Sequence, residues 1–115
     1  MKKTGEAVVL RIFLSESATD GGRPLYEKIV AKARQLHLAG ATVLRGLYGF
    51  ARRGDSPEDA EGFRHEQAPI VIELIDTEDN LGRLLPFLDE TVEHGLVTLE
   101  TIKVVRYSPS KITQF

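Results

Sequence analysis

The sequence predicts an α+β domain in which a four-stranded antiparallel sheet carries two helices on one face. Three observations lead there. Four segments rich in Val, Ile, Leu and Phe read as strands. Two further segments place their apolar residues at helical spacing. The order along the chain is β-α-β-β-α-β, which suits helices segregated to one side of an antiparallel sheet.

The elements follow in sequence. Residues 6–14 form the first strand, and residues 15–22 a small-residue loop. Pro24 suits a helix start, where its missing N–H costs nothing. The helix is expected over residues 24–38, with Leu25, Ile29, Ala33 and Leu36 on its apolar face. Gly40 then suits a C-terminal cap with positive φ. The second strand is expected over 42–50 and the third over 68–76. Between them, residues 51–67 make a basic, polar loop with Gly54, Pro57 and Gly62 as breakers. Hairpin loops usually span about two to five residues, and longer ones tend to carry function. Asp76 or Thr77 can cap the next helix, with Glu78 and Asp79 favourable at its positive end. Leu81, Leu84, Leu85, Leu88 and Val92 form its stripe, and Pro86 should kink it. Gly95 ends it. The last strand covers 97–107, and residues 108–115 are a short tail. This is the split βαβ order of ferredoxin-like domains. The expected strand order 4-1-3-2 places the first and third strands in the middle of one domain with a core over 6–107.

Composition narrows the function. The chain has 115 residues, 42% hydrophobic and 28% charged, as expected for one globular domain. A net charge of −2 gives no footprint for nucleic acid. The absence of cysteine excludes disulfides, thiol catalysis and thiolate metal sites. The basic start has no apolar stretch of a signal peptide, and no apolar run approaches the roughly 20 residues of a membrane span. A cytoplasmic protein without membrane insertion is the expectation.

Strand alternation separates two faces. Val8, Leu10, Ile12, Leu14, Leu44, Ile70, Ile72, Leu74, Ile102 and Val104 are assigned to the side under the helices. The other side is assigned Val9, Arg11, Phe13, Val43, Arg45, Leu47, Val71, Glu73, Ile75, Lys103, Val105 and Tyr107, with Glu73 between Arg11 and Arg45. A wet face rarely carries so many aliphatics, and a closed core would not hold these charges unpaired. An oligomer built sheet to sheet satisfies both constraints.

Gly21-Gly22-Arg23-Pro24-Leu25-Tyr26-Glu27, Leu38-Ala39-Gly40-Ala41-Thr42-Val43-Leu44-Arg45-Gly46 and Gly95-Leu96-Val97-Thr98-Leu99-Glu100 resemble the bacterial PII-like family catalogued as domain of unknown function 190. The resemblance spans residues 6–107. More distantly, the chain is similar to the PII nitrogen-signalling proteins. Those are ferredoxin-like homotrimers that bind adenine nucleotides between subunits and contact targets through a long loop after the second strand. The resemblance implies a non-enzymatic homotrimer with no cofactor, an adenine nucleotide as regulatory ligand, and residues 51–67 as the contact to a protein target, a membrane transporter or an enzyme. It implies ligand contacts from Gly49, Phe50, Arg52, Glu73 and Arg106, with Arg45 and Gly95 as the next candidates. The departures are specific. Ala51 replaces a second glycine, residues 93–97 lack the phosphate-loop lysine, Ser108 replaces an arginine, and residues 51–67 contain no tyrosine. A nucleotide with fewer than three phosphates, or another small ligand, fits these changes best.

Other chemistry has weaker signals. Gly21-Gly22-Arg23 before a helix could hold an anion, or simply form a turn. His37, His65 and His94 lack close ligand spacing, whereas a metal site needs converging ligands. Ser15, Ser17 and Ser56 have no neighbouring base in sequence, and no catalytic residue is assigned. Two alternatives stand beside the signalling reading: a small enzyme with an intersubunit active site, and a metal-responsive trimer like the divalent-cation tolerance proteins.

Overall fold

The structure, a computed structural model, describes residues 3–49 and 68–109. The expected loop 51–67, with Phe50, Arg52 and His65, and the end of the tail lie outside the described residues.

Four strands form one antiparallel sheet: β1 (Lys3–Ser15), β4 (Thr42–Arg45), β5 (Pro69–Asp76) and β6 (Leu96–Tyr107), in the order β4-β5-β1-β6. The first and third long strands occupy the middle, as expected. Helix α1 (Leu25–Gln35) covers one face together with the short helices α2 (Glu78–Gly82) and α3 (Leu85–Thr91). Leu10, Ile12, Ile72 and Leu74 from the central strands meet Ile29 of α1 and Leu81 and Leu84 of the second helical region in the core. Each such aliphatic side chain contributes about 1.5–3 kcal/mol when fully buried.

The second helical region divides at Pro86. Pro86 lies in the first turn of α3, where no N–H is needed, so the kink resolves into two helices. Thr77 caps α2, its Oγ1 accepting from the Asn80 amide at 3.2 Å. Asp76 ties three elements together. Its Oδ1 accepts from the Thr77 amide and the Asn80 side chain, and its Oδ2 accepts from the Ala39 amide.

Three local expectations are corrected. The 15–22 loop contains a small hairpin, β2 (Thr19–Asp20) with β3 (Arg23–Pro24), turned by Gly21 and Gly22 at φ 61° and 82°. The glycines are therefore occupied by a tight turn. Helix α1 ends earlier than predicted, and its left-handed residue is His37 (φ 60°), not Gly40. His37 and Leu38 amides donate to the Arg34 and Ala33 carbonyls, closing the helix two residues ahead of the glycine. The second strand stops at Arg45: the Gly46 amide makes one further bond to the Pro69 carbonyl, and Leu47 and Tyr48 then stand in solvent.

The face assignment holds for β1 and β5 but is reversed for β4 and for β6 as far as its register shift, beyond which Tyr107 pairs with Lys3 on the helix-free side as expected. Paired residues of an antiparallel sheet share a face. Val43 pairs with Ile72 and Arg45 with Ile70, so both lie on the helix side, while Thr42 and Leu44 lie opposite. Leu99 pairs with Leu10, whereas Ile102 pairs with Ala7 and Val104 with Gly5, on the helix-free side. Both are edge strands with mostly exposed residues, so burial imposes little alternation on their sequences.

Candidate functional site

Antiparallel register brings Arg11 of β1 directly beside Glu73 of β5. On the helix-free face the Arg11 Nε donates to Glu73 Oε2 at 2.8 Å, and Nη1 donates to Glu100 Oε1 at 2.9 Å. One guanidinium thus bridges three strands. Its pKa is raised, first by the hydrogen bond to Glu73 and then by that to Glu100. Around this triad stand Phe13, Leu44, Ile75 and Leu96, large apolar side chains that remain exposed. Val9, paired with Ile75 and Glu100, is already buried. The face therefore combines a greasy surround with a central carboxylate–guanidinium–carboxylate bridge that carries one net negative charge.

Arg45 is not part of that bridge. On the helix side of β4 it holds Glu16 in a two-point pair, Nε to Oε2 and Nη2 to Oε1, both at 3.0 Å. The hydrogen bond from Arg45 is the main reason the Glu16 carboxyl sits below the usual carboxylate range. The Glu16 amide also donates to the Ala68 carbonyl at 2.8 Å, and the Gly46 amide to the Pro69 carbonyl at 2.7 Å. The two chain stems that flank residues 50–67 are therefore joined at their base.

The remaining nominated residues are spread along the sheet. Gly95 packs where a Cβ would lie 2.8 Å from the Phe13 carbonyl oxygen, so it needs the glycine for close approach. Gly49 ends the described first stem. Arg106, beyond the β1–β6 register shift, donates to Ser108 Oγ at 3.1 Å. Its neighbour Tyr107 pairs with Lys3, eight residues along β1 from the Arg11–Glu73 pair. At about 3.4 Å per residue that is roughly 27 Å. Within one protomer Glu73 and Arg106 do not meet, and Arg45 and Gly95 belong to the opposite end from Arg106.

Two residues escaped the sequence reading. Glu100 was lost because β6 was placed out of phase, and Glu16 because a lone acid between serines in a turn has no motif. Ser15 and Ser17 bond each other at 2.9 Å. A shallow groove of about 250 Å³ beside α2 and β6 is lined by Leu81, Leu85, Leu99 and the acids Glu78 and Asp79. It contains none of the nominated residues. Among the described residues no cluster of three His, Cys, Asp or Glu could hold a metal ion, and no helix is long and apolar enough to cross a membrane.

Comparison with known proteins agrees with this fold. The chain is 33% identical over 99 residues to a UPF0166 protein of Aquifex aeolicus (strain VF5), covering 84% of this chain and 91% of the relative. Among solved structures it resembles CPII of Thiomonas intermedia K12, bound to ADP, AMP and acetate. That match has a TM-score of 0.61 at 21% identity, over 89% of this chain and 91% of the other. It also resembles a putative PII-like signaling protein of Thermus thermophilus, with a TM-score of 0.60 at 21% identity, over 90% and 93% of the two chains. These structures share the fold. The DUF190 family, described as Uncharacterized ACR, COG1993, matches residues 7–104, and the chain belongs to it.

Proposed function

We propose that this chain is a PII-like, non-enzymatic signalling protein of the cytoplasm that assembles as a homotrimer. An adenine nucleotide with one or two phosphates binds in clefts between subunits, and residues 51–67 regulate a protein target, a membrane transporter or an enzyme. The observation that carries the reading is the helix-free face. Exposed Phe13, Leu44, Ile75 and Leu96 surround a charge bridge already satisfied within the protomer, which suits burial against copies of the same chain. A ligand that touches both Glu73 and Arg106 lies between subunits, since the two stand far apart within one protomer. Adenine nucleotides are favoured because CPII, which shares this fold, is described bound to ADP and AMP.

Such a ligand signals only if it binds two states of the target-contacting segment with different affinity. Calorimetry with AMP, ADP, ATP and cyclic dinucleotides tests the proposal, with sedimentation run on the same sample. The expected result is a trimer that binds AMP or ADP at up to one site per protomer, and ATP more weakly. A well-assembled trimer with no heat for any nucleotide overturns the ligand assignment.

A further inference from the structure

Glu16 makes two attachments at once. Its backbone amide holds Ala68 on the second stem, and its carboxylate holds Arg45 on the first. The side-chain half is a matched two-point pair, the geometry by which a guanidinium recognises carboxylate or phosphate oxygens. It also stays within reach of solutes, since the Arg45 side chain is 53% exposed and that of Glu16 30%.

We propose that Glu16 is a resident carboxylate occupying an anion-recognition position on Arg45, and that an anionic ligand presenting two oxygens displaces it and loosens the joined stems. This deepens the function proposed above by naming where a ligand's phosphate exchanges for a protein group. The displaced Glu16 carboxylate stays tethered beside the fork, so it opposes the incoming anion and sets the affinity at which exchange occurs. Its structural effect falls on the first stem. Immediately beyond Arg45, Gly46 lies so close to Pro69 that an added Cβ would be 2.7 Å from Pro69 Cγ. Any shift of Arg45 toward a ligand is therefore passed directly to the Gly46–Pro69 hydrogen bond.

The experiment follows the Arg45 side-chain Nε–H signal by NMR in the full-length protein, titrated with inorganic phosphate and, separately, with AMP. Glu16→Gln removes the competing charge and keeps the backbone bond to Ala68. The expected result is a concentration-dependent shift of the Arg45 signal with phosphate in the wild type. Phosphate should bind three- to tenfold more tightly to Glu16→Gln and give no such response in Arg45→Gln. Hydrogen exchange at the Gly46 amide should quicken at least threefold in ligand-free Glu16→Gln. Equal phosphate affinity in wild type and Glu16→Gln overturns the inference, as does an Arg45 signal indifferent to phosphate. Heat of AMP binding with a silent Arg45 signal overturns it too, while leaving the proposed nucleotide function standing. A phosphate response without AMP binding supports the exchange at Arg45 and removes the nucleotide.

Discussion

The Gly46 amide donates to the Pro69 carbonyl at 2.7 Å, and the space beside Gly46 is filled by the Pro69 ring. Glycine is required here for close approach of the stems. Gly46→Ala should destabilise the protein by about 1–3 kcal/mol, the usual cost of overpacking. Urea denaturation of the two proteins at one concentration measures it. Gly40→Ala is the control, because nothing lies near an added Cβ there. A shift at Gly46 no larger than that at Gly40 would contradict the close packing.

His37 provides the opposite case. It sits at φ 60° just past α1, in a position that closes the helix through two backbone hydrogen bonds. A side chain in this left-handed region is strained, and glycine relieves the strain. His37→Gly should raise stability by about 0.5–1 kcal/mol. Thermal unfolding monitored by circular dichroism reads the change, and a lower melting temperature would refute the assignment.

These two positions show what the sequence made legible. The strand order and the core were readable because β1 and β5 are central and their alternation is enforced by burial from Val8 to Leu14 and from Ile70 to Leu74. The edge strands were not, since exposed Thr42, Leu44, Leu99 and Glu100 are under little pressure to alternate. Pro86 marked where the second helix bends, but the apolar periodicity on both sides hid that it divides into two helices. Gly40 misled because a glycine near a helix end is a common cap, yet the backbone closed at His37 first. The Arg11–Glu73 pair followed once both central strands were in register, whereas the Glu16–Arg45 pair depends on a turn whose course no local pattern specifies.

Acid should weaken the Glu16–Arg45 attachment. Arg45 lowers the Glu16 pKa in the folded protein, so the folded state binds the proton less readily than the unfolded chain. The resulting stability is fully present above the ordinary carboxylate pKa and is lost as pH falls through the lowered one. Unfolding free energies measured between about pH 6 and pH 3 should fall more steeply for wild type than for Glu16→Gln. Parallel curves would show that the pair contributes nothing to the pH dependence.

Burial separates two aliphatic substitutions that look alike in sequence. Ile72 is fully buried between the sheet and α1, whereas Leu47 is 99% exposed. Ile72→Ala should cost about 2–5 kcal/mol through lost contact and the cavity left behind. Leu47→Ala should change protomer stability by no more than about 0.5 kcal/mol. Chemical denaturation of both variants, run under conditions of equal assembly, distinguishes them.

Assembly gives the widest-reaching prediction. Phe13 lies on the helix-free face at 37% exposure, next to the strand pair that carries Arg11 and Glu73. A carboxylate there meets water in a lone protomer but would lose it when two such faces close, beside a bridge that already has an excess acid. Phe13→Asp should therefore leave a folded protomer and abolish the trimer. Sedimentation velocity should show wild type near three protomer masses and the variant near one. Nucleotide binding should vanish with assembly if the ligand needs residues from two subunits. A wild-type protein that sediments as a single 12.8 kDa chain at working concentration removes the intersubunit cleft. A Phe13→Asp trimer of undiminished stability would instead move the interface to another surface, with the edges of β4 and β6 next in line because their outer backbone groups have no strand partner among the described residues.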